Sequence, residues 1–229
     1  MEKRGSPKLF IVSTPIGNLR DITFRAIETL RSVDLIACED TRRTKKLLYH
    51  YGITTPTTSY FEHNKIKKGK YLVQLLKEGK KIALVSDSGT PGISDPGFKI
   101  INLAIENNIL VTVIPGPCAF VSALVLSGMP TDSFLFQGFL SHKGAKRRKQ
   151  IELLKQEKRT IILYESPYRL LKTLGDILDI VGDRDIAITR ELTKVFEETL
   201  RLKVSSAIQH FTQHPPRGEF VLIVNGKPK

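Results

Sequence analysis

Acidic residues stand at the ends of four apolar runs: Glu39-Asp40 after Leu35-Ile36-Ala37, Asp87 after Leu84-Val85, Glu165 after Leu163-Tyr164, and Glu191 after Ile188-Thr189-Arg190. One such carboxylate commonly caps a helix, but four at comparable positions suggest a cleft with ionisable chemistry. Three loops poor in bulky side chains accompany them. The first is Ser13-Thr14-Pro15-Ile16-Gly17-Asn18-Leu19-Arg20-Asp21-Ile22-Thr23, in which Asp21 or Thr23 can cap the next helix. The second is Ser86-Asp87-Ser88-Gly89-Thr90-Pro91-Gly92-Ile93-Ser94-Asp95-Pro96-Gly97, and the third is Pro115-Gly116-Pro117-Cys118-Ala119-Phe120. Glycine reaches backbone angles that a Cβ forbids and proline fixes φ, so these loops offer a ligand backbone groups more than side chains.

Several chemistries lack their signatures. None of the loops reads G-x-G-x-x-G or G-x-x-x-x-G-K-[ST], which leaves a dinucleotide fold or a P-loop poorly supported. Ser88 and Ser94 lie among glycines without a G-x-S-x-G elbow, so serine hydrolase chemistry is unsupported. His50, His63, His142, His210 and His214 show no metal-ligand spacing, and no metal is expected. Cys38 and Cys118 have no CxxC partner, which argues against a disulfide scaffold or zinc site and for a reducing cytoplasm. The opening Met1-Glu2-Lys3-Arg4-Gly5-Ser6-Pro7 is followed by too short an apolar run for a signal peptide. Pro115-Gly116-Pro117 interrupts the most apolar window, 109–126, so that window cannot span a membrane as one helix.

Alternating strands and helices must position these loops. The apolar pattern predicts strands over 9–13, 34–38, 57–61, 81–86 and 110–115, separated by helices over 23–31, 42–51, 65–77 and 97–107 and followed by one over 119–127. Strict alternation with short connections implies an α/β domain, 1–128, with a mostly parallel sheet covered on both faces and the loops at its strand ends. Ser127-Gly128-Met129-Pro130 marks the expected boundary. The remainder, 129–229, predicts strands over 133–138, 160–164, 185–189, 197–202 and 219–224 and helices over 146–156, 167–180 and 205–212. It reads as a second α/β domain with a mixed sheet.

Of 229 residues, 36 are Lys or Arg and 23 Asp or Glu, and the net charge of +13 points to a polyanionic partner. The cations cluster at Arg42, Arg43, Lys45 and Lys46, at Lys65, Lys67, Lys68 and Lys70, and at Lys143, Lys146, Arg147, Arg148 and Lys149. Lying beside the candidate ligand loops, the clusters favour an RNA or nucleotide surface.

The three loops, with Cys38-Glu39-Asp40-Thr41-Arg42, resemble the tetrapyrrole-methylase-like (class III) methyltransferases, and within them the branch that methylates small-subunit ribosomal RNA. Phe139-Leu140 and the basic run to Arg148, Tyr164-Glu165-Ser166-Pro167, Arg190-Glu191-Leu192-Thr193-Lys194 and Arg217-Gly218-Glu219-Phe220 carry the resemblance over nearly the whole chain. Some members have a further C-terminal segment, whereas this chain stops just after Val224-Asn225-Gly226. The resemblance implies two α/β domains, S-adenosylmethionine in the cleft between them, a homodimer, and methylation of a cytidine ribose 2′-hydroxyl in 16S ribosomal RNA near the decoding centre, on free RNA or an assembled subunit. The cofactor-holding candidates are Pro15, Gly17, Ser86, Asp87, Gly89, Thr90, Pro115, Gly116, Cys118, Ala119 and Tyr164.

A ribose hydroxyl is a weak acid, so methyl transfer to it calls for a base or a cationic stabiliser. Glu165 and Glu191 are the candidates for base or orienting group, with Asp40 and Asp87 as alternatives, and Arg190 and Lys194 are the candidate stabilisers. Ion pairing of Glu191 with Lys194 or Arg190 is an equally open structural role. Arg42, Arg43, Lys143, Lys146, Arg147 and Arg148 are expected to contact RNA phosphates. Two rival readings stand beside this one. They are a same-fold methyltransferase for a tetrapyrrole or other small molecule, and a ribosome-assembly protein that binds RNA without turnover.

Overall fold

A computed structural model describes residues 8–228, so the opening seven residues read above lie outside the described residues. The chain divides into two compact units between Cys118 and Ala119. The first carries β1 (Leu9–Val12), α1 (Phe24–Ser32), β2 (Leu35–Cys38), α2 (Thr41–His50), β3 (Thr57–Ser59), α3 (Lys65–Lys77), β4 (Ile82–Val85), α4 (Phe98–Glu106) and β5 (Val111–Ile114). Its five strands order as β3-β2-β4-β1-β5, with every pairing parallel.

Period-two alternation explains why these strands read as continuous apolar runs. Leu9, Ile11, Ala37, Ile82 and Leu84 face one core with Leu72 and Leu76 of α3 and Ile100 and Ala104 of α4. Val12, Ile36, Cys38, Ala83 and Val85 face the opposite core with Ala26 and Leu30 of α1 and Leu48 of α2. A parallel sheet covered on both faces leaves no position along its central strands for a polar side chain. At the start of α1, Thr23 Oγ1 accepts the Ala26 N–H at 3.1 Å, the N-cap expected there.

The second unit carries α5 (Ala119–Ser127), β6 (Phe134–Phe139), α6 (Gly144–Leu154), β7 (Thr160–Glu165), α7 (Leu170–Val181), β8 (Asp185–Arg190), β9 (Glu198–Lys203), α8 (Val204–Gln213) and β10 (Phe220–Val224). Its sheet orders as β6-β7-β10-β8-β9 and is mixed, parallel between β6 and β7 and antiparallel elsewhere. Helices α6, α7 and α8 cover one face around Ile151, Leu163, Leu174, Ile188, Phe211 and Leu222. Helix α5 packs against β10 and its neighbours, burying Ala123 and Leu124. The Arg201 guanidinium donates to the last carbonyls of α5, at Leu126 and Ser127. The division therefore falls at Cys118 and not at the expected Gly128. The reason is that α5 is apolar on nearly every side, so its pattern carried no information about which sheet it covers.

The basic helix α6 departs from its expected role. Arg147 is buried and its Nε donates to Asp176 Oδ2 of α7 at 2.7 Å, while Arg148 reaches both Asp176 and Asp179. Both guanidiniums tie α6 to α7; Arg147 is enclosed in its pair, whereas Arg148 remains about half exposed. Removing one partner of a buried pair strands the other charge, which costs about 3–5 kcal/mol. Because Arg148 still pairs with Asp176 when Arg147 is removed, Arg147→Ala should lower stability toward the low end of that range, about 3 kcal/mol, in a urea unfolding titration, and a loss below about 1 kcal/mol would place Arg147 among ordinary surface charges.

Candidate functional site

The three loops leave β1, β4 and β5 at the same edge of the first sheet, because parallel strands end together. Thr14 N–H donates to Gly89 C=O at 2.9 Å and Gly89 N–H returns a bond to Thr14 C=O at 3.0 Å. Gly89 has φ +80°, a conformation costly for a residue with a Cβ. Hydroxyls complete the linkage. Thr14 Oγ1 donates to Ser86 C=O at 3.2 Å, Ser86 Oγ to Gly89 C=O at 3.2 Å, and Thr90 Oγ1 to Pro117 C=O at 3.2 Å. Ser13 Oγ lies 2.9 Å from Thr90 Oγ1, and a Cβ on Gly116 would stand 2.9 Å from Ser13 Cβ. The third loop thus lies directly against the first.

This network sorts the cofactor-holding candidates. Pro15, Ser86 and Gly89 are buried, and the hydroxyls of Ser86 and Thr90 are spent on bonds within the loop cluster, so these residues shape it from within. Gly17, Ser88, Pro115 and Gly116 form its exposed rim, with Asp87 and Cys118 half-buried. Ala119 opens α5 and Tyr164 lies on β7, so both belong to the second unit. There the Tyr164 ring stands 5.2 Å from Phe136 and 5.3 Å from Phe139.

Carboxyl groups gather behind the rim. Asp87 Oδ1 accepts the Asp40 N–H at 3.0 Å, and Asp87 Oδ2 lies 3.4 Å from the Arg43 guanidinium. Asp40 caps α2 and is held down to about 2 by hydrogen bonds from the Arg42 side chain and N–H. An acid so strong is a poor base, which removes Asp40 from that role. Burial, then the charge of Asp87, pushes the Glu39 carboxyl up. Burial, then the charge of Glu39, raises Asp95 to about 6 against an opposing hydrogen bond from Ser86. Asp95 follows Ser94, whose φ of +61° is unusual for a residue with a Cβ. Glu39 is one of the acidic strand-end positions legible in the sequence, whereas Asp95 is not, since Ser94-Asp95-Pro96 reads locally as a turn and only burial distinguishes it.

The second unit holds the remaining acid–base candidates. The Glu165 side chain is fully buried, accepts from Ser166 N–H at 2.7 Å and Thr173 Oγ1 at 2.6 Å, and forms an ion pair with Arg169 Nη2 at 2.7 Å. It anchors the start of α7 and has no exposed oxygen with which to take a substrate proton, so the expected base role is corrected. Glu191 Oε1 accepts from Lys194 Nζ at 2.9 Å and from Glu219 N–H at 2.9 Å, and Lys194 Nζ also lies 2.8 Å from Glu219 Oε2. Burial raises the Glu191 carboxyl, but the Lys194 and Glu219 hydrogen bonds outweigh it and hold the group below its usual range. Burial likewise opposes the charge on Lys194, whose pKa the two carboxylates nevertheless raise. Arg190 Nε is buried without a hydrogen bond, its nearest carboxylate being Glu198 Oε2 at 3.5 Å. Among the described residues no cluster of His, Cys, Asp and Glu could hold a metal, and no helix is long and apolar enough to cross a membrane.

Residues 8–208 match the family described as Tetrapyrrole (Corrin/Porphyrin) Methylases. The chain is 52% identical over 220 residues to the Thermotoga maritima protein named ribosomal RNA small subunit methyltransferase I, covering 96% of this chain and 99% of that one. It is 50% identical over 218 residues to the protein of the same name from Bacillus subtilis, covering 95% and 75%. Among solved structures it resembles uroporphyrin-III-C-methyltransferase from Thermus thermophilus, with TM-score 0.67, 18% identity and coverage of 96% and 94%. It also resembles diphthine synthase, with TM-score 0.73, 13% identity and coverage of 97% and 90%. At such identities the structural likenesses establish the fold alone.

The raised Asp95 carboxyl has a thermodynamic consequence. An aspartate in the unfolded chain titrates near ~4, so between that pH and about 6 the folded state binds more protons than the unfolded one. Its stability contribution is complete below the unfolded value and is lost as pH rises through about 6. Asp95→Asn should remove that loss, stabilising the protein at pH 7.5 by on the order of 1–2 kcal/mol relative to the parent, with little difference at pH 4. Thermal melts at the two pH values measure it, and equal differences at both would refute the assignment.

Proposed function

The chain belongs to the tetrapyrrole methylase family, whose members are S-adenosylmethionine-dependent methyltransferases, and we propose that it methylates a cytidine ribose 2′-hydroxyl of small-subunit ribosomal RNA near the decoding centre. The observation that carries this reading is the loop cluster at the ends of β1, β4 and β5, in a chain half-identical over nearly its full length to proteins named for that RNA. The net charge of +13 favours RNA over a tetrapyrrole as substrate.

The residues present fit the cofactor. The rim offers backbone groups at Gly17, Ser88, Pro115 and Gly116, and the absence of a Cβ at Gly116 keeps the first and third loops in contact. Behind it, Asp87, Glu39 and Asp95 supply negative charge suited to a cationic ligand. When bound, S-adenosylmethionine supplies an electrophilic methyl on a sulfonium sulfur, which the ribose oxygen takes as its proton leaves to solvent. The chain's task is then to position that oxygen and stabilise its developing charge. Lys194, held by Glu191 and Glu219, is our candidate for the group facing the oxygen, with Arg190 beside it and Glu191 as the orienting carboxylate.

RNA phosphates are met by exposed Lys143 and Lys146 at the start of α6 and by Arg42 and Arg43 on α2, while Arg147 is withdrawn into its pair with Asp176. Mapping 2′-O-methylation on ribosomal RNA from cells with and without the gene should show one cytidine losing its methyl, restored by the parent chain. An unchanged methylation pattern would dismiss this reading in favour of a non-catalytic binder.

We infer that the protein acts in the cytoplasm, and that it is a homodimer, the latter favoured by α5, which leaves Val121, Val125 and Leu126 exposed on an apolar helix. Sedimentation equilibrium should give twice the chain mass, and Val125→Asp should shift it toward the monomer; a monomeric parent protein contradicts the dimer.

A further inference from the structure

Two residues with side chains, Glu191 at φ +50° and Thr193 at φ +65°, adopt left-handed backbone within three positions of each other just beyond β8. Each costs on the order of 1 kcal/mol or more, and such strain persists only where surrounding structure over-determines it. The determinant here is the turn 217–219 entering β10. Glu191 N–H donates to Glu219 C=O at 3.0 Å, and Glu219 N–H returns to the Glu191 carboxylate at 2.9 Å. Gly218, between them, has φ +89°, and a Cβ built on it would stand 2.5 Å from Glu191 Cγ, 2.7 Å from Cδ and 2.6 Å from Oε1. The carboxylate that would be struck is the one that holds the Lys194 ammonium at 2.9 Å. It cannot swing clear without breaking its bonds to both Lys194 and Glu219.

We propose that Gly218 is a positioning residue for methyl transfer: by leaving room for the Glu191 carboxylate, it fixes where the Lys194 ammonium stands. The proposal rests on the reading of Lys194 as the catalytic cation. Glu191 is thereby a positioning residue too, its oxygen already committed to two donors. Glu219, three-quarters exposed, is the second and looser acceptor for Lys194. The Gly218 requirement is double, for left-handed backbone and for absent bulk, so no other residue type meets both.

The test separates position from function. Lysine side-chain NMR on the full protein, without RNA, should show the Lys194 pKa falling in Gly218→Ala, and falling less in Glu219→Gln, whose exposed side chain leaves folding intact. Single-turnover methylation of RNA by Gly218→Ala should slow by about 10–100-fold, with S-adenosylmethionine affinity by calorimetry within about twofold. The alkaline limb of its pH–rate profile should move to lower pH. Gly218→Ala with Glu191→Asp, which withdraws the carboxylate by one methylene and so relieves the clash but not the left-handed backbone, should recover part of the rate and move the Lys194 titration part of the way back. An unmoved Lys194 titration in Gly218→Ala overturns the proposal, as does a shifted titration with an unchanged rate. Failure of the parent protein itself to methylate RNA would instead sink the assigned function, and the Lys194 titration would still decide whether Gly218 positions the pair.

Discussion

The reciprocal backbone bonds between Thr14 and Gly89 join the chain leaving β1 to the chain leaving β4. Strand β1 lies between β4 and β5, so this junction also sets where the loop after β5 can lie. Gly116 closes on Ser13, and Thr90 bridges to Pro117. A parallel sheet delivers all its strand ends to one edge, where N–H and C=O groups beyond the ladder need new partners. In this protein the loops satisfy one another, and the hydroxyls of Thr14, Ser86 and Thr90 act as struts within and between them. What remains on the outside is a rim of backbone with carboxyl groups behind it.

A different constraint shapes the second unit. Strands β8 and β10 are antiparallel neighbours and pair through Arg190 and Phe220, so the segments just past that pair emerge side by side. The Glu191–Glu219 backbone bond continues the ladder one step beyond the strands, which brings the Glu191 carboxylate over Gly218 and within reach of Lys194. Strain, glycine and ion pair are three aspects of one arrangement. Elsewhere in the same unit charge serves structure: Glu165 anchors α7, and Arg147 with Arg148 binds α6 to it through Asp176.

Much of the fold was legible in the sequence because alternation of apolar runs is a local property. The strands and helices stand close to where the pattern placed them, the first sheet is parallel and the second mixed, and Thr23 caps α1 as expected. The three loops were legible as well, since glycine and proline announce unusual backbone wherever they occur. Helix α5 reads as part of the first domain but packs on the second sheet, because a helix apolar on most sides gives no face to read. The roles of charged residues were the least legible. A basic run looks the same whether its cationic groups face solvent, as those of Lys143 and Lys146 do, or turn inward to an aspartate 29 residues away, as that of Arg147 does.

By itself the sequence determined the order and type of the elements, the edge at which the loops gather, and the family, because each depends on residue identity and short-range spacing. Only the tertiary structure decided which carboxylates are committed. Glu165 is enclosed by Ser166, Thr173 and Arg169, Asp40 is bound by Arg42, and Asp95 is raised by burial beside Glu39. A carboxyl group's acidity and availability follow from the dielectric and the donors around it, and those come from residues distant in the chain. The same holds for Gly218, whose meaning lies in the Glu191 carboxylate that packing brings against it.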